Sequence, residues 1–336
     1  MSEIKPFTGV DDRVALADVV PIDTPFTIGI SASSACNFKC NYCVQSIDNE
    51  TLKSKYDFKR IKMDFDLFTR IVNQCFFFPK KIKLLTFMGQ GEPLLNPELS
   101  NMIAYAKKSE NFERIDVVTN GSLLNYETSD RLINSGLDAL RISLQGMTPE
   151  KYKSISNVNL NFDDLIDNIK YFYDKSRGKC KVYVKIMNVS LDKNEENLFY
   201  ETFDKITDRM FIEQLKPVYD GVDYNEYDYT LSSDRRGNIH EKRYVCPQPF
   251  FTLSIWPDGE VIPCSAIHKV CSLGNIKNSP LITMWNSKKL KNFQIMQLKK
   301  LRFDHPQCKL CCAPDDCSHI EDVLDNKSED ILKKVL

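Results

Sequence analysis

The chain has 336 residues, 42% hydrophobic and 27% charged, with a formal net charge of −1. That is room for one large domain, or a large and a small one, and near-neutrality gives no global field for nucleic acid or an acidic membrane. The first 25 residues carry Asp11, Asp12 and Arg13 without a continuous apolar stretch, and no window is long enough to cross a membrane; the twelve cysteines therefore point to a reducing, cytoplasmic setting, where C-x2-C clusters bind metal rather than form disulfides.

The first strand-like run, 26–32, leads directly into CNFKCNYC, which spaces Cys36, Cys40 and Cys43 as C-x3-C-x2-C. Three thiolates so spaced can close around three irons of a [4Fe–4S] cube. The fourth iron is left open for a small molecule that can receive an electron. Zinc prefers four protein ligands, and no nearby Cys or His completes such a set; buried thiols used as small apolar groups are the plainer alternative. Tyr42 places an aromatic ring beside whatever occupies the open iron.

Further strands are expected at 81–89, 114–121, 139–146, 181–190 and 209–218, with amphipathic helices at 65–78, 98–108, 129–136, 162–175 and 194–206. Pro97 near a helix start and Gly136 near a helix end fit the usual asymmetry of those residues. The alternation implies an α/β fold with a parallel sheet and crossover helices; periodicity alone does not separate an open sheet from a partial barrel. Either way, ligand chemistry gathers at the C-terminal strand ends, and the motifs fall there. After the second strand, Gly89 and Gly91 let backbone approach a ligand, and Glu92, followed by Pro93, complements an ammonium group. Thr119 and Asn120 end the third strand and Ser143 the fourth. Such short polar residues also serve plain turns and caps.

Residues 219–243 are polar and tyrosine-rich and read as a linker or loop between domains, with a place at the substrate entrance as the alternative. From Cys246 a second, cysteine-rich domain begins. Trp256-Pro257-Asp258-Gly259 reads as a hairpin turn that presents Cys264 on the returning strand. Cys246, Cys264, Cys308 and Cys311 can then converge on a second [4Fe–4S] cluster, and a zinc ribbon shares the same logic. Cys75 reads as core and Cys180 has no evident partner. His240, His268, His305 and His319 lack metal-like spacing.

The CNFKCNYC string resembles the signature of the radical S-adenosylmethionine (SAM) enzymes, whose open iron chelates the amine and carboxylate of that cofactor. Gly89-Gln90-Gly91-Glu92-Pro93 resembles the family's Gly-Gly-Glu-Pro segment, which holds the methionine amine. Thr119, Asn120 and Ser143 resemble positions that bond the cofactor's carboxylate and ribose. Two departures concern that clamp: Gln145 stands where many relatives have Asp, and no arginine follows about a dozen residues on. The C-terminal cysteines resemble the SPASM/Twitch extension, which carries auxiliary clusters. Glu321 occupies a further cysteine position of the full pattern, and no cysteine lies shortly upstream of Cys246, so one auxiliary cluster is expected, with Cys317 able to replace Cys308 or Cys311.

The resemblance implies a partial (β/α)6 TIM-like barrel core over 20–235 and a small SPASM/Twitch domain, a β-hairpin plus helix, over 240–325. It implies reductive cleavage of SAM to a 5′-deoxyadenosyl radical, with electrons from a flavodoxin- or ferredoxin-type donor. The expected substrate is a sugar, aminocyclitol or similar polyol, undergoing dehydrogenation or epimerisation, by similarity to the aminocyclitol dehydrogenases. The alternative is a maturase that modifies a peptide or protein side chain. Cys271 and Cys312 are hydrogen-donor candidates by analogy with peptide epimerases. A non-enzymatic zinc or iron–sulfur module is the reading from a different class.

Overall fold

The computed structural model describes residues 1–7, 13–316 and 318–336. Its strands are β1 (Glu3–Ile4), β2 (Thr27–Ile30), β3 (Ile82–Phe87), β4 (Phe112–Thr119), β5 (Ala139–Leu144), β6 (Lys181–Met187), β7 (Arg209–Glu213), β8 (Thr252–Ile255), β9 (Glu260–Ile262) and β10 (Gly274–Asn275). Among the described residues they form one ten-stranded sheet in the order β1-β7-β6-β5-β4-β3-β2-β8-β9-β10. β2 to β7 are the six parallel strands expected, and they curve into a partial barrel. Beyond them, β1 adds in parallel at the β7 edge, while β8 pairs parallel with β2 and turns back into β9 and β10. The C-terminal hairpin thus continues the barrel sheet.

The crossover helices form where apolar residues recur at helical spacing behind a capping side chain. In Phe65–Cys75, Asp64 caps by accepting from the Asp66 and Leu67 N–H groups, while Leu67, Phe68, Ile71, Val72 and Cys75 make the buried face. Cys75 is core, as expected. The Phe68 ring meets Phe87 of β3 at 5.5 Å between centroids. Helices at Leu99–Ser109, Tyr126–Asn134, Phe162–Ser176 and Glu195–Phe203 match the expected set. Periodicity does not announce the helices at Asn49–Tyr56, Pro149–Ser156, Lys288–Leu298 and Ser328–Val335. No helix among the described residues is long and apolar enough to cross a membrane.

The two faces of the barrel strands differ. Val117, Leu140, Ile142, Val184 and Ile186 are all within 1% of full burial beneath the helices. The alternate positions on the concave side include Asp116, Arg141, Ser143, Lys185 and Glu213 together with Val118, Tyr183 and Phe211 across β4 to β7. There Lys185 Nζ lies 2.7 Å from Glu213 and Arg141 3.6 Å from Asp116. Side chains alternate across a strand, so the helices cover one face and leave a polar lumen on the other.

Candidate functional site

The C-terminal strand ends collect the sequence motifs. The segment after β2 is held on both sides: Ser31 N–H donates to Ile255 O, and Ala32 O accepts from Met63 N–H. Beyond it the triple-cysteine loop lies against the C-terminus of the Pro149–Ser156 helix, through Lys39 N–H to Ser156 O (3.0 Å) and Asn41 N–H to Ile155 O (2.9 Å). A helix that periodicity does not reveal is thus the loop's platform. Cys36 Sγ accepts from Phe38 N–H at 3.4 Å and faces the Asn120 side-chain amide at 4.0 Å; Cys40 Sγ meets Ser156 Oγ at 3.2 Å. Burial pushes the Cys36 thiol up to about 11, with Cys43 adding repulsion; burial also raises Cys40 and Cys43. Burial disfavours the thiolate at all three positions, and a cationic iron core would offset that cost for all three at once.

The glycine turn after β3 is cradled against this loop. A Cβ on Gly91 would lie 2.4 Å from Ser33 O and 2.5 Å from Ala35 O, and Gly89 has φ +151° with Ser31 Oγ 2.8 Å from its would-be Cβ. Gln90, between them, has its carbonyl bound by the Gln45 amide and donates its own amide to Ser265 O at 3.0 Å.

Glu92 is 2% exposed, and its carboxylate accepts three hydrogen bonds. Oε1 accepts from Leu94 N–H (2.9 Å) and Thr119 Oγ1 (2.7 Å), and Oε2 from Asn120 N–H (2.8 Å). Burial pushes this carboxyl up to about 6 against those three donors. Thr119 and Asn120 therefore meet Glu92 directly. Pro93 opens the short turn that follows and is buried. Ser143 lies on the lumen side of β5, level with Lys185. Tyr42 is buried, and its hydroxyl donates to Gln145 Oε1 and approaches Ser190 Oγ at 3.3 Å, so Gln145 is tied to the cysteine loop. The tyrosine-rich stretch read as a linker packs over the same loop: Tyr224 Oη donates to Tyr42 O at 3.1 Å, and Tyr227 meets the Tyr42 ring edge-on at 6.2 Å.

The second cysteine group forms as the hairpin reading expects. Trp256 and Glu260 pair across the turn and Gly259 takes φ +92°, which returns the chain to Cys264. Cys246, Cys264, Cys308 and Cys311 all line one cavity of about 350 Å³, whose wall also includes Gly89 and Gln90. Burial, with repulsion from Cys311, pushes the Cys264 and Cys308 thiols up to about 12 and raises Cys246 well above the ordinary thiol range. Among the described residues no three His, Cys, Asp or Glu side chains are set to hold a single metal ion. A zinc ribbon would gather its sulfurs on one point about 2.3 Å away. Thiols surrounding a volume can hold a cubane.

Cys271 adopts φ +55° beside Cys264 and Cys308, whereas Cys312 lies beside Tyr224. Cys317 lies outside the described residues. Cys180 is buried at the foot of β6. The histidines are dispersed: His240 meets Asp316, His305 packs on Phe293, His319 meets Arg236, and His268 lies tilted against Tyr56. Sequence reasoning assigned no role to Gln45, Gln90, Lys185, Glu213 and Gln297; for the last three the one readable signal is a polar residue where an apolar one would suit a strand or helix.

Comparison with known proteins bears on both cysteine groups. A model of the radical SAM superfamily matches residues 30–204, and one of the SPASM iron–sulfur cluster-binding domain matches 246–317. The chain is 23% identical over 334 aligned residues to the tungsten-containing aldehyde ferredoxin oxidoreductase cofactor-modifying protein of Pyrococcus furiosus, covering 87% of this chain and 88% of that one. It is 31% identical over 144 residues to the GTP 3′,8-cyclase of Staphylococcus haemolyticus, covering 42% of this chain and 40% of the cyclase. Similar solved structures include BtrN in complex with AdoMet and 2-DOIA (TM-score 0.55, 19% identity, 86% of this chain and 94% of that). Another is Streptococcus suis SuiB bound to precursor peptide SuiA (TM-score 0.63, 16% identity, 89% and 76%). At these identities the structural likeness speaks for the fold.

Proposed function

We propose, for a chain that belongs to the radical SAM superfamily and carries a C-terminal SPASM iron–sulfur domain, that it is an oxidoreductase acting on a sugar, aminocyclitol or similar polyol. Bound to its [4Fe–4S] cluster, SAM supplies the hydrogen-abstracting 5′-deoxyadenosyl radical. In this reading Cys36, Cys40 and Cys43 hold that cluster, and Cys246, Cys264, Cys308 and Cys311 hold one auxiliary cluster. Gly89 and Gly91 admit the cofactor to the backbone, and Glu92, fixed by Thr119 and Asn120, presents its charge to the ammonium. Ser143 and Tyr42 flank the cofactor from the lumen and the loop. Residues 20–235 serve as the core and 240–325 as the auxiliary unit; the two family matches fall inside those bounds.

The observation that carries the polyol reading is the lumen itself. Arg141, Lys185, Glu213 and Arg235 line it with charges and hydrogen-bonding groups, and Lys185, a fifth open, faces it. Such walls suit a substrate with several hydroxyls better than an apolar side chain. Lys185 Nζ, paired with Glu213 at 2.7 Å, is placed to donate a hydrogen bond to a substrate hydroxyl. The cavity shared by the four thiols, the glycine turn and Arg235 supports oxidation, because in this reading it sets an electron acceptor beside the cofactor turn.

A second reading, modification of a peptide side chain, is favoured by the likeness to SuiB with its precursor peptide. Anaerobic reconstitution with iron, sulfide, dithionite and SAM tests both. The polyol reading expects 5′-deoxyadenosine to rise with members of a sugar and aminocyclitol panel and not with peptides. A rise with peptides alone moves the assignment to the second reading, and no 5′-deoxyadenosine under any condition overturns both.

A further inference from the structure

Gln297 is a polar side chain in a place that asks for an apolar one. It sits near the end of the Lys288–Leu298 helix, is 0% exposed, and lines the cavity of the four C-terminal thiols. Its amide makes two contacts, each to one of those cysteines. Oε1 accepts from the Cys246 backbone N–H at 3.1 Å, and Nε2 donates to Cys308 Sγ at 3.8 Å. A backbone N–H can only donate, so the Cys246 contact fixes which end of the amide is oxygen and turns the NH2 to the sulfur. A leucine would bury as well in a helix core without the desolvation cost of an amide. The amide therefore needs a reason, and an N–H aimed at a ligand sulfur supplies one.

We infer that Gln297 is a positioning residue that sets the reduction potential of the auxiliary iron–sulfur cluster, acting through Cys308. The inference rests on the reading of Cys308 as a cluster ligand. Reduction adds an electron whose charge spreads onto the cysteine sulfurs, so an N–H···S bond stabilises the reduced form more than the oxidised one and raises the potential. Arg302, 2% exposed and ion-paired with Asp315 at 2.8 Å, donates to Cys311 O at 3.0 Å and so fixes the backbone of a second thiol of the group, its charge being balanced by Asp315. A cluster raised in this manner is suited to receive an electron from substrate, while the N-terminal one stays low enough to give one.

The test is a potentiometric titration of the reconstituted full chain, read by electron paramagnetic resonance, with the N-terminal signal identified by its response to added SAM. Gln297→Met removes the donor at nearly constant volume. Held at the wild-type auxiliary midpoint, its reduced-to-oxidised ratio should fall about tenfold, about 59 mV for one electron, with the SAM-responsive cluster unmoved. An auxiliary midpoint unchanged with its iron intact, or both clusters shifting together, overturns the inference. Cys308→Ala separates this from the underlying reading: an auxiliary signal and iron content that survive it unchanged refute the ligand assignment itself. Should Gln297→Met fail to hold the cluster, wild-type chain carrying ¹⁵N in its glutamine side-chain amides serves instead. Electron–nuclear double resonance should then show a ¹⁵N coupling to the reduced auxiliary cluster, and absence of that coupling overturns the inference.

Discussion

Thr119→Val asks whether the hydroxyl at the end of β4 serves the protein or the cofactor. Valine keeps the shape and removes the O–H that donates to Glu92 Oε1 at 2.7 Å. At pH 8, well above the value of about 6 to which burial raises it, Glu92 is ionised. Losing a donor to a buried charge costs about 1.5–3 kcal/mol, and the Gly121 N–H that donates to Thr119 Oγ1 at 3.0 Å loses its partner as well. The sum is about 3 kcal/mol. With unfolding entropy of about 2.1 cal/mol/K per residue, a chain of this length loses about 4 °C in its thermal midpoint. The assay is anaerobic thermal unfolding of the cluster-free chain, run as a double-mutant cycle with Glu92→Gln. The pair should couple by about 1.5–3 kcal/mol, and additivity within about 0.5 kcal/mol refutes the contact as an energetic unit. A Thr119→Val chain that melts like wild type yet binds SAM tenfold more weakly returns the hydroxyl to direct cofactor contact.

Other perturbations follow from the same geometry. Replacing Cys36, Cys40 and Cys43 by alanine should remove about four irons per chain and all 5′-deoxyadenosine while the auxiliary signal persists; cofactor cleavage that survives refutes their assignment. Gly91→Ala forces a methyl against two backbone carbonyls, Ser33 O and Ala35 O, and should cost at least tenfold in SAM affinity. Gly178→Ala, which meets nothing within 4 Å, should leave that affinity unchanged and cost only about 1 kcal/mol through its φ of +74°. Burial would raise Glu213, but Lys185, Arg235 and Arg141 hold it down to about 2. Its ion-pair stabilisation, about 3 kcal/mol, is complete above about pH 4.5 and is lost as pH falls toward 2. Lys185→Met should therefore move the onset of acid unfolding to higher pH, and an unchanged acid limb would refute the pairing.

How legible these features are depends on how local they are. The two cysteine groups are readable because spacing within a short loop, or across one hairpin, decides whether sulfurs can converge. Thr119 and Asn120 show where that stops. Their place after a strand suggests contact with a ligand, whereas the partner they meet is Glu92, 27 and 28 residues earlier in the chain. The Pro149–Ser156 helix carries few apolar residues and escapes a periodicity search, although Thr148 caps it and Pro149 opens it. Gln297 is silent until helix packing brings it to Cys246 and Cys308.

The choice between open sheet and barrel is different, because the strands do carry a signal that periodicity of elements ignores. A parallel sheet with helices on both faces buries both sides of each strand, and its strands read as continuous aliphatic runs. These strands do not: Asp116, Arg141 and Lys185 interrupt β4 to β6 between core residues, and Glu213 ends β7 on the same face. On that face Arg141 pairs with Asp116 and Lys185 with Glu213, so the charges meet one another across the strands and away from the aliphatic, helix-covered side. A parallel sheet with one covered face relieves its exposed edge and polar surface by curling round that surface. The alternation of charge within the strands is thus by itself an argument for a lumen, and the same residues that betray it are the ones a hydroxyl-bearing substrate would meet there.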